Sequence, residues 1–358
     1  MDKTYYGRKW ELTIECLDGS VLQVGNHGFS GYEALKCVFD VNYPGYQGWY
    51  LSEFTIYNPM FENAESEEGA VSWDQITEGA RVEFYAGYVE GADEGKNYNK
   101  IFSGLVFQVR VDREDIVDYK ITLLCMDGAK LFEKNFISQA MERYSHRRFL
   151  NSVAARSYRK IDVGRISPLV APEETDEDGN EVEPVIEEGH VVRGCTTFGS
   201  VSRALREEVK TNNSIMFMLD DTLQVGTLSD PVKGEYIDVR AGNGLIGTPQ
   251  QIDYGITFRT LLNPNLILAN PPKWVKLDLS SIKVNQQKAV IGKPLSAIPI
   301  DGFFKVAGVR HIGDTRGNAW YTDVVGYGFG GKIPIQLGIK GADAPSMLNA
   351  KQGKWGLG

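Results

Sequence analysis

The sequence is poor in the residues from which most enzyme sites are built. It holds four cysteines in 358 residues, Cys16, Cys37, Cys125 and Cys195, and no CxxC pair. That spacing excludes a zinc ribbon and a thioredoxin-type motif. Four scattered thiols in a chain this long read as reduced, buried side chains of a protein made in a cytoplasm. The four histidines, His27, His146, His190 and His311, fall in no HxH, HExxH or HxxxH spacing, so no zinc site is readable. There is no GxSxG elbow, and Cys195 has no base beside it in sequence. No apolar run approaches the ~20 residues that cross a membrane. The opening MDKTYYGRKW lacks the apolar stretch of a signal peptide. Positive charge is also short. Lys and Arg number 38 against 47 Asp and Glu, a net charge of −9, which argues against tight nucleic-acid binding.

The acid excess is local. Residues 173–188 carry nine acids and no base, and without them the chain is neutral. Such a run reads as a solvated loop. Within it Asp176, Asp178, Asn180 and Glu187 take positions 1, 3, 5 and 12 of a calcium-loop spacing, but position 6, which needs Gly, is Glu181. They are weak metal candidates beside the plainer reading of an acidic hairpin tip. Gly242, Gly244 and Gly247 form a GxGxxG run, but Thr248 and Pro249 follow. No helix N-terminus would be there to hold a pyrophosphate, so the run reads as a turn. His311-Ile312-Gly313-Asp314 ends a strand-like run, where Asp314 is best placed to accept turn N–H groups. Arg143, His146, Arg147 and Arg148 form a basic cluster that reads either as a solvated helix end or as a contact for an acidic partner. No catalytic or cofactor-binding residue is assigned.

Abundance lies elsewhere: 39 Gly, 17 Tyr and 16 Phe, a mix suited to strands and tight turns. WELTIECL (10–17), an Asp18-Gly19 turn and VLQV predict a hairpin. Residues 33–41 are open between strand and short helix, and 51–58 read as a strand ended by Pro59. Residues 72–78 predict a short helix capped by Ser72. Val82, Phe84, Ala86 and Tyr88 alternate onto one strand face. Strands at 101–111 and 117–126 complete a first antiparallel barrel or sandwich, 1–128.

The middle, 129–239, changes character. Phe132, Phe136 and Ala140 at four-residue spacing predict an amphipathic helix capped by Asp127. FLNSVAARSY predicts a second helix, and 197–212 a third with Val201, Leu205 and Val209 on one face. Residues 214–228 predict a hairpin turning at Asp220-Asp221. Strand signals return over 240–330, and 331–358 reads as an extended arm. The fold class is therefore mainly β: two similar antiparallel β-barrel modules flank a mixed α/β region, followed by the arm. The layout of 302–326, two extended runs around a polar turn, repeats that of 101–128.

Several runs resemble baseplate hub proteins of contractile-tailed phages, of the late control protein D and T4 hub type. FTIYNP (54–59), WDQITEGARVEFYAGY (73–88), IFSGLVFQV and YKITLLCMDG resemble that family's first tube domain. GLIGTPQQIDYGITFRTLLNPNL (244–266), WVKLDLSS and FKVAGVRHIGDTRGNAWYTDVV resemble its second. The resemblance implies a structural, non-enzymatic virion protein without cofactors, made in the host cytoplasm and placed in the tail baseplate. It implies a homotrimer whose paired barrels adapt the six-fold tail tube to a three-fold central spike. Partners would be tube, spike and wedge proteins, with genomic DNA passing through the lumen and no membrane contact. Two alternatives remain open at this point. One is a cell-wall hydrolase in the middle region, which needs paired carboxylates in 130–235. The other is a carbohydrate-binding adhesin using Trp49, Tyr50 and the Tyr43–Tyr46 region.

Overall fold

The computed structural model describes residues 6–25, 35–45, 50–59, 61–63, 70–71, 75–90, 97–113, 118–129, 135–142, 144–157, 160–166, 190–191, 194–211, 214–226, 236–252, 255–270, 272–278 and 302–328. The calcium-like residues Asp176, Asp178, Asn180 and Glu187, the acidic run, Arg143, Ser72, Trp49, Tyr46 and the arm 331–358 lie outside the described residues.

The first β region comprises β1 (Tyr6–Glu15), β2 (Val21–Gly25), β3 (Cys37–Tyr43), β4 (Tyr50–Tyr57), β5 (Phe61–Asn63), β6 (Ala70–Val71), β7 (Arg81–Glu90), β8 (Tyr98–Arg113) and β9 (Tyr119–Asp127). The middle holds β10 (Phe136–Met141), β11 (Tyr144–Ser145), α1 (His146–Ala155), β12 (Asp162–Ile166), β13 (His190–Val191), β14 (Cys195–Ser200), α2 (Val201–Thr211), β15 (Ile215–Leu219) and β16 (Thr222–Gly226). The second β region holds β17 (Tyr236–Val239), β18 (Leu245–Ile252), β19 (Gly255–Leu261), β20 (Trp274–Leu277), β21 (Phe303–Asp314) and β22 (Trp320–Gly328).

The fold is mainly β, with the two β regions on either side of the α/β middle in sequence. They are continuous in space. A 15-stranded sheet runs β18-β19-β22-β21-β3-β4-β9-β8-β7-β1-β2-β5-β6, with β17 and β20 attached at β21. The junction is the antiparallel pair β3–β21, with Val309 opposite Tyr43 and Asp314 opposite Val38. One apolar core runs beneath both regions, and its inward residues follow the two-residue strand period. Val82, Phe84, Ala86 and Tyr88 are buried together, as are Trp10, Leu12 and Ile14. Phe39 bridges the junction. Its ring lies 4.8 Å from Phe84 on one side and 5.3 Å from Trp320 on the other. A second core joins Phe149, Leu150 and Val153 of α1 with Val201, Leu205 and Val209 of α2 and with Met216, Leu223 and Val225.

Two sequence expectations are corrected. Residues 136–141 form strand β10, not a helix. Asn135, Ile137 and Gln139 are buried while Phe136, Ser138 and Ala140 face out, so the two-residue period overrides the four-residue spacing of the aromatics. Asp127 accepts from the middle hairpin, described below, and the helix expected after it falls at 130–134, outside the described residues. The third helix begins at Val201, because 195–200 pair with β10 as β14; the Ser200 hydroxyl accepts the Arg203 N–H at 3.2 Å in the manner of an N-cap. Of residues 33–41, open between strand and short helix in sequence, 37–41 lie in strand β3.

Candidate assembly surfaces

The sheet contains its own repeat. Read in one direction, four adjacent strands are β7-β8-β9-β4 and the next four are β3-β21-β22-β19. Every neighbour is antiparallel, so strands four places apart run in the same sense. Each unit therefore repeats the strand sense of the one before it along the sheet. A second detail obeys the same mapping. β8 breaks register against β9 between Val106 and Gln108, and β21 breaks register against β22 between Val306 and Gly308. Matching bulges in matching strands are features that families retain rather than accidents of packing. In the second unit the slot of β7 is shared: β20 covers the start of β21, Phe303–Lys305, and β3 covers its end, Val309–Asp314.

The junction is tied by charge as well as by packing. Arg310 on β21 grips the Asp40 carboxylate of β3 with two bonds of 2.8 and 2.5 Å. Arg259 on β19 grips Asp323 of β22 at 2.6 and 2.9 Å and lies 3.8 Å from the centre of the Tyr321 ring. These bidentate forks fix geometry more firmly than single contacts do. Arg8 donates to the backbone oxygens of Asp314 and Gly317 at 2.5 and 2.6 Å and sits over the Trp320 ring. The Cys37 N–H donates to the Thr315 hydroxyl at 2.9 Å.

The residues singled out in His311-Ile312-Gly313-Asp314 belong to this junction. His311 is fully buried, its Nδ1 2.9 Å from the Thr322 hydroxyl. Burial pushes its pKa down to about 3, with the Leu266 backbone opposing weakly. The ring is therefore neutral across the physiological range and shielded from solvent. Asp314 accepts the N–H groups of Arg316 and Gly317 at 2.9 and 2.8 Å, the turn role expected of it. In the GxGxxG run, Gly244 has φ +86° and closes a 3-10 turn, and strand β18 follows where a nucleotide site needs a helix. Tyr43 and Tyr50 of the adhesin reading are buried against each other, ring centres 4.8 Å apart.

A carboxylate joins the middle to the first β region. Asp127 is fully buried at the end of β9 and accepts the N–H groups of Asp220 and Asp221 at 3.2 and 3.0 Å. Asp220 and Asp221 form the two-residue turn of the β15–β16 hairpin with φ +53° and +60°. Both sit in the left-handed region, which costs a non-glycine residue ~1–2 kcal/mol. Burial, with the two nearby carboxylates, raises the Asp127 pKa to about 8 against the pull of the two N–H bonds. Elsewhere in the middle, His146 Nδ1 contacts Glu208 of α2 directly. The basic cluster is thus split, with His146 half-buried on this acid and Arg147 and Arg148 exposed.

The middle also presents apolar surface. β10 and β14 form a two-stranded ribbon in which Phe136 is opposite Ser200 and Phe198 opposite Ser138. The two phenylalanines are diagonal neighbours on one face, 73% and 82% exposed. The thiols behave differently. Cys16, Cys37 and Cys125 are buried, which raises their pKa values, while Cys195 is partly exposed. A maleimide at pH 7 should modify Cys195 alone in the folded chain and all four thiols after denaturation, counted by intact-mass spectrometry. Fast labelling of a second thiol in native protein would contradict this burial pattern. Among the described residues, no group of three or more His, Cys, Asp or Glu is arranged to hold a metal.

Comparison with known proteins agrees with this architecture. A family model described as baseplate hub gp41 matches residues 47–281. The tail protein from Neisseria meningitidis MC58 superimposes with a TM-score of 0.53 at 10% identity, covering 91% of this chain and 98% of that one. The 43 kDa tail protein of prophage MuSo2 from Shewanella oneidensis gives 0.50 at 10% identity, covering 88% and 97%. No curated protein matches the sequence. The matched segment spans more than half of the chain and crosses β4 to β20, and the chain belongs to the baseplate hub gp41 family.

Proposed function

We propose that three copies of this chain close into a ring at the end of a tail tube, each contributing two sheet units, so that a three-fold assembly offers six similar modules to the tube. The tandem, same-sense repeat β7-β8-β9-β4 and β3-β21-β22-β19 supports this most directly. A ring needs heterologous, head-to-tail contacts, and a same-sense repeat lets the contact made within a chain recur between chains. The outer strands β18 and β6, and β17 at the end of the side branch, are the free edges of the sheet among the described residues. Edge-to-edge pairing between copies would remove them from solvent. β18 carries Pro249, with its register break between Ile246 and Gln250, which suits an edge strand. On this reading the chain is a structural part of the virion tail, with the central spike, tube and wedge proteins as neighbours, a lumen for DNA, and no catalytic step of its own.

Light scattering of the purified chain should give three times the chain mass, and electron microscopy of the particle should place a three-fold ring at the tube end. A monomer elsewhere on the tail would overturn the proposal. The exposed ribbon face gives a second test. The double variant Phe136→Ser/Phe198→Ser should keep its circular dichroism and thermal unfolding unchanged. It should lower incorporation of the chain into assembled tails at least tenfold, because the ribbon's apolar face is then no longer available for a neighbouring copy to cover. Normal incorporation would show that this face remains in solvent.

A further inference from the structure

The free edge of β10 faces a cleft with no role in the ring described above. The cleft has a volume of about 770 Å³ and is lined by Gln139, Ala140 and Met141 of β10, Glu142 just after it, Arg148 and Ser152 of α1, and Arg156 at the C-cap of α1. That is within the ~300–1,000 Å³ typical of ligand sites. Inward residues (Gln139, Met141) and the outward Ala140 of β10 line it together with Glu142 just beyond the strand, and no residue of β14 does. The cleft therefore runs along the edge of the strand. β10 pairs only with β14 among the described residues, leaving a row of backbone N–H and C=O groups along the cleft that a further strand can pair with.

Side chains around this edge show what it would accept. Gln139 is 5% exposed. Its Oε1 accepts the Ser152 hydroxyl at 3.1 Å, and its Nε2 has no acceptor among the described residues. A buried amide donor without a partner has given up its water and gained nothing in return, and an acceptor brought into the cleft would recover part of that loss. Arg148 and Arg156 are exposed, and neither guanidinium has an acidic partner among the described residues. With Ser152 between them they recur at four-residue spacing along α1 and its C-cap. Glu142 is the one acid in the lining, so the positive charges predominate. Eight helical residues separate the two arginines by about 12 Å along the axis. Four residues of an extended chain cover about 13 Å and return to the same face.

We propose that this cleft docks an extended acidic segment of a partner protein, added as a third strand to the free edge of β10. Two carboxylates four residues apart meet Arg148 and Arg156, and a backbone or side-chain oxygen takes the Gln139 amide. The inference does not depend on the ring stoichiometry.

The test uses the full chain and fluorescein-labelled ten-residue peptides of alternating threonine and valine with two glutamates four apart, followed by fluorescence anisotropy. Three controls accompany them: the peptide with both glutamates replaced by glutamine, the peptide N-methylated at alternate backbone nitrogens, and inorganic phosphate as competitor. The glutamate peptide should bind, and each altered peptide should bind at least tenfold more weakly. Arg148→Gln/Arg156→Gln, two exposed positions whose replacement leaves the fold intact by circular dichroism, should weaken binding at least tenfold. Gln139→Met should weaken it two- to fivefold. Equal binding of the glutamine peptide removes the charge recognition, and equal binding of the N-methylated peptide removes the strand addition. Full competition by millimolar phosphate reduces the site to an anion patch. Self-association of the chain that depends on Arg148 and Arg156 assigns the edge to a second copy. Any of these results, or failure of every peptide to bind, overturns the proposal.

Discussion

Replacing Gly313 with valine should destabilise the chain by about 3 kcal/mol or more and leave most of it insoluble. Gly313 lies on β21 opposite Phe39 of β3 and opposite Trp320 of β22. A Cβ at this position would overlap the edge of the Phe39 ring and come within 2.9 Å of Trp320. Neither ring has room to retreat. Phe39 is 1% exposed and wedged between Phe84 and Trp320, and Trp320 is 4% exposed. The glycine lets the two aromatics close over the β3–β21 junction, so a side chain there forces the halves of the sheet apart. Alanine should already cost about 2 kcal/mol, since the clash begins at the first carbon. Gly242→Ala is the control, because a Cβ there meets nothing within 4 Å, and its effect should stay within ~0.5 kcal/mol. Chemical denaturation of the three variants measures the series. Phe39→Leu should recover part of the Gly313→Ala loss in a double-mutant cycle, since the two positions touch. Equal stability of Gly313→Val and Gly242→Ala would show that the junction does not depend on this contact.

That glycine shows how far the sequence could be read. The His311-Ile312-Gly313-Asp314 run drew attention through its histidine and aspartate, yet its tightest constraint falls on the glycine between them. The constraint comes from Phe39, a residue 274 positions away, and no local pattern reveals such a partner. Strands with one buried face were legible from alternation: Val82, Phe84, Ala86 and Tyr88, or the β1–β2 hairpin with its Asp18-Gly19 turn. The repeat of 101–128 at 302–326 was legible as layout. Its place beside the first copy in one sheet was not, because that depends on β3 from the first region completing the second unit. β10 misled because polar Gln139 occupies one of its inward positions and buried Asn135 precedes it, so alternation of polarity vanished while the four-residue aromatic spacing stood out. The cleft beside β10 was hidden for the same reason, its key residue being a glutamine that reads as surface. The basic cluster did hold a usable signal, since Arg148 ends up in the cleft with Arg156, the C-cap of α1.

Asp127 should make the chain less stable as pH rises from about 4 to 8, against the usual trend for a carboxylate. Its pKa is raised to about 8 in the folded chain from an ordinary 3.8. A raised folded-state value means that the folded chain holds a proton the unfolded chain has released. The contribution is full below the unfolded value and is lost as pH climbs through the folded one. A tenfold difference in proton affinity between folded and unfolded chain is worth about 1.4 kcal/mol, so the loss across the window is on the order of several kcal/mol. The carboxyl sits where two N–H groups of a left-handed Asp220-Asp221 turn need an acceptor, and burial disfavours the charge that would serve them best. Asp127→Asn keeps one acceptor oxygen and cannot ionise. Its unfolding free energy, subtracted from that of the wild type at each pH, should isolate this group from every other titration. The difference should favour the wild type by more at pH 5 than at pH 8, with most of the change complete by pH 8.5. Asp127→Ala should be destabilised at every pH by about 2–4 kcal/mol, because two N–H donors are then left without an acceptor. A wild type that instead gains stability over Asp127→Asn between pH 5 and 8 would mean that the two N–H bonds outweigh burial. The carboxylate would then be charged, and the clamp between the β9 end and the middle hairpin would be strongest at alkaline pH.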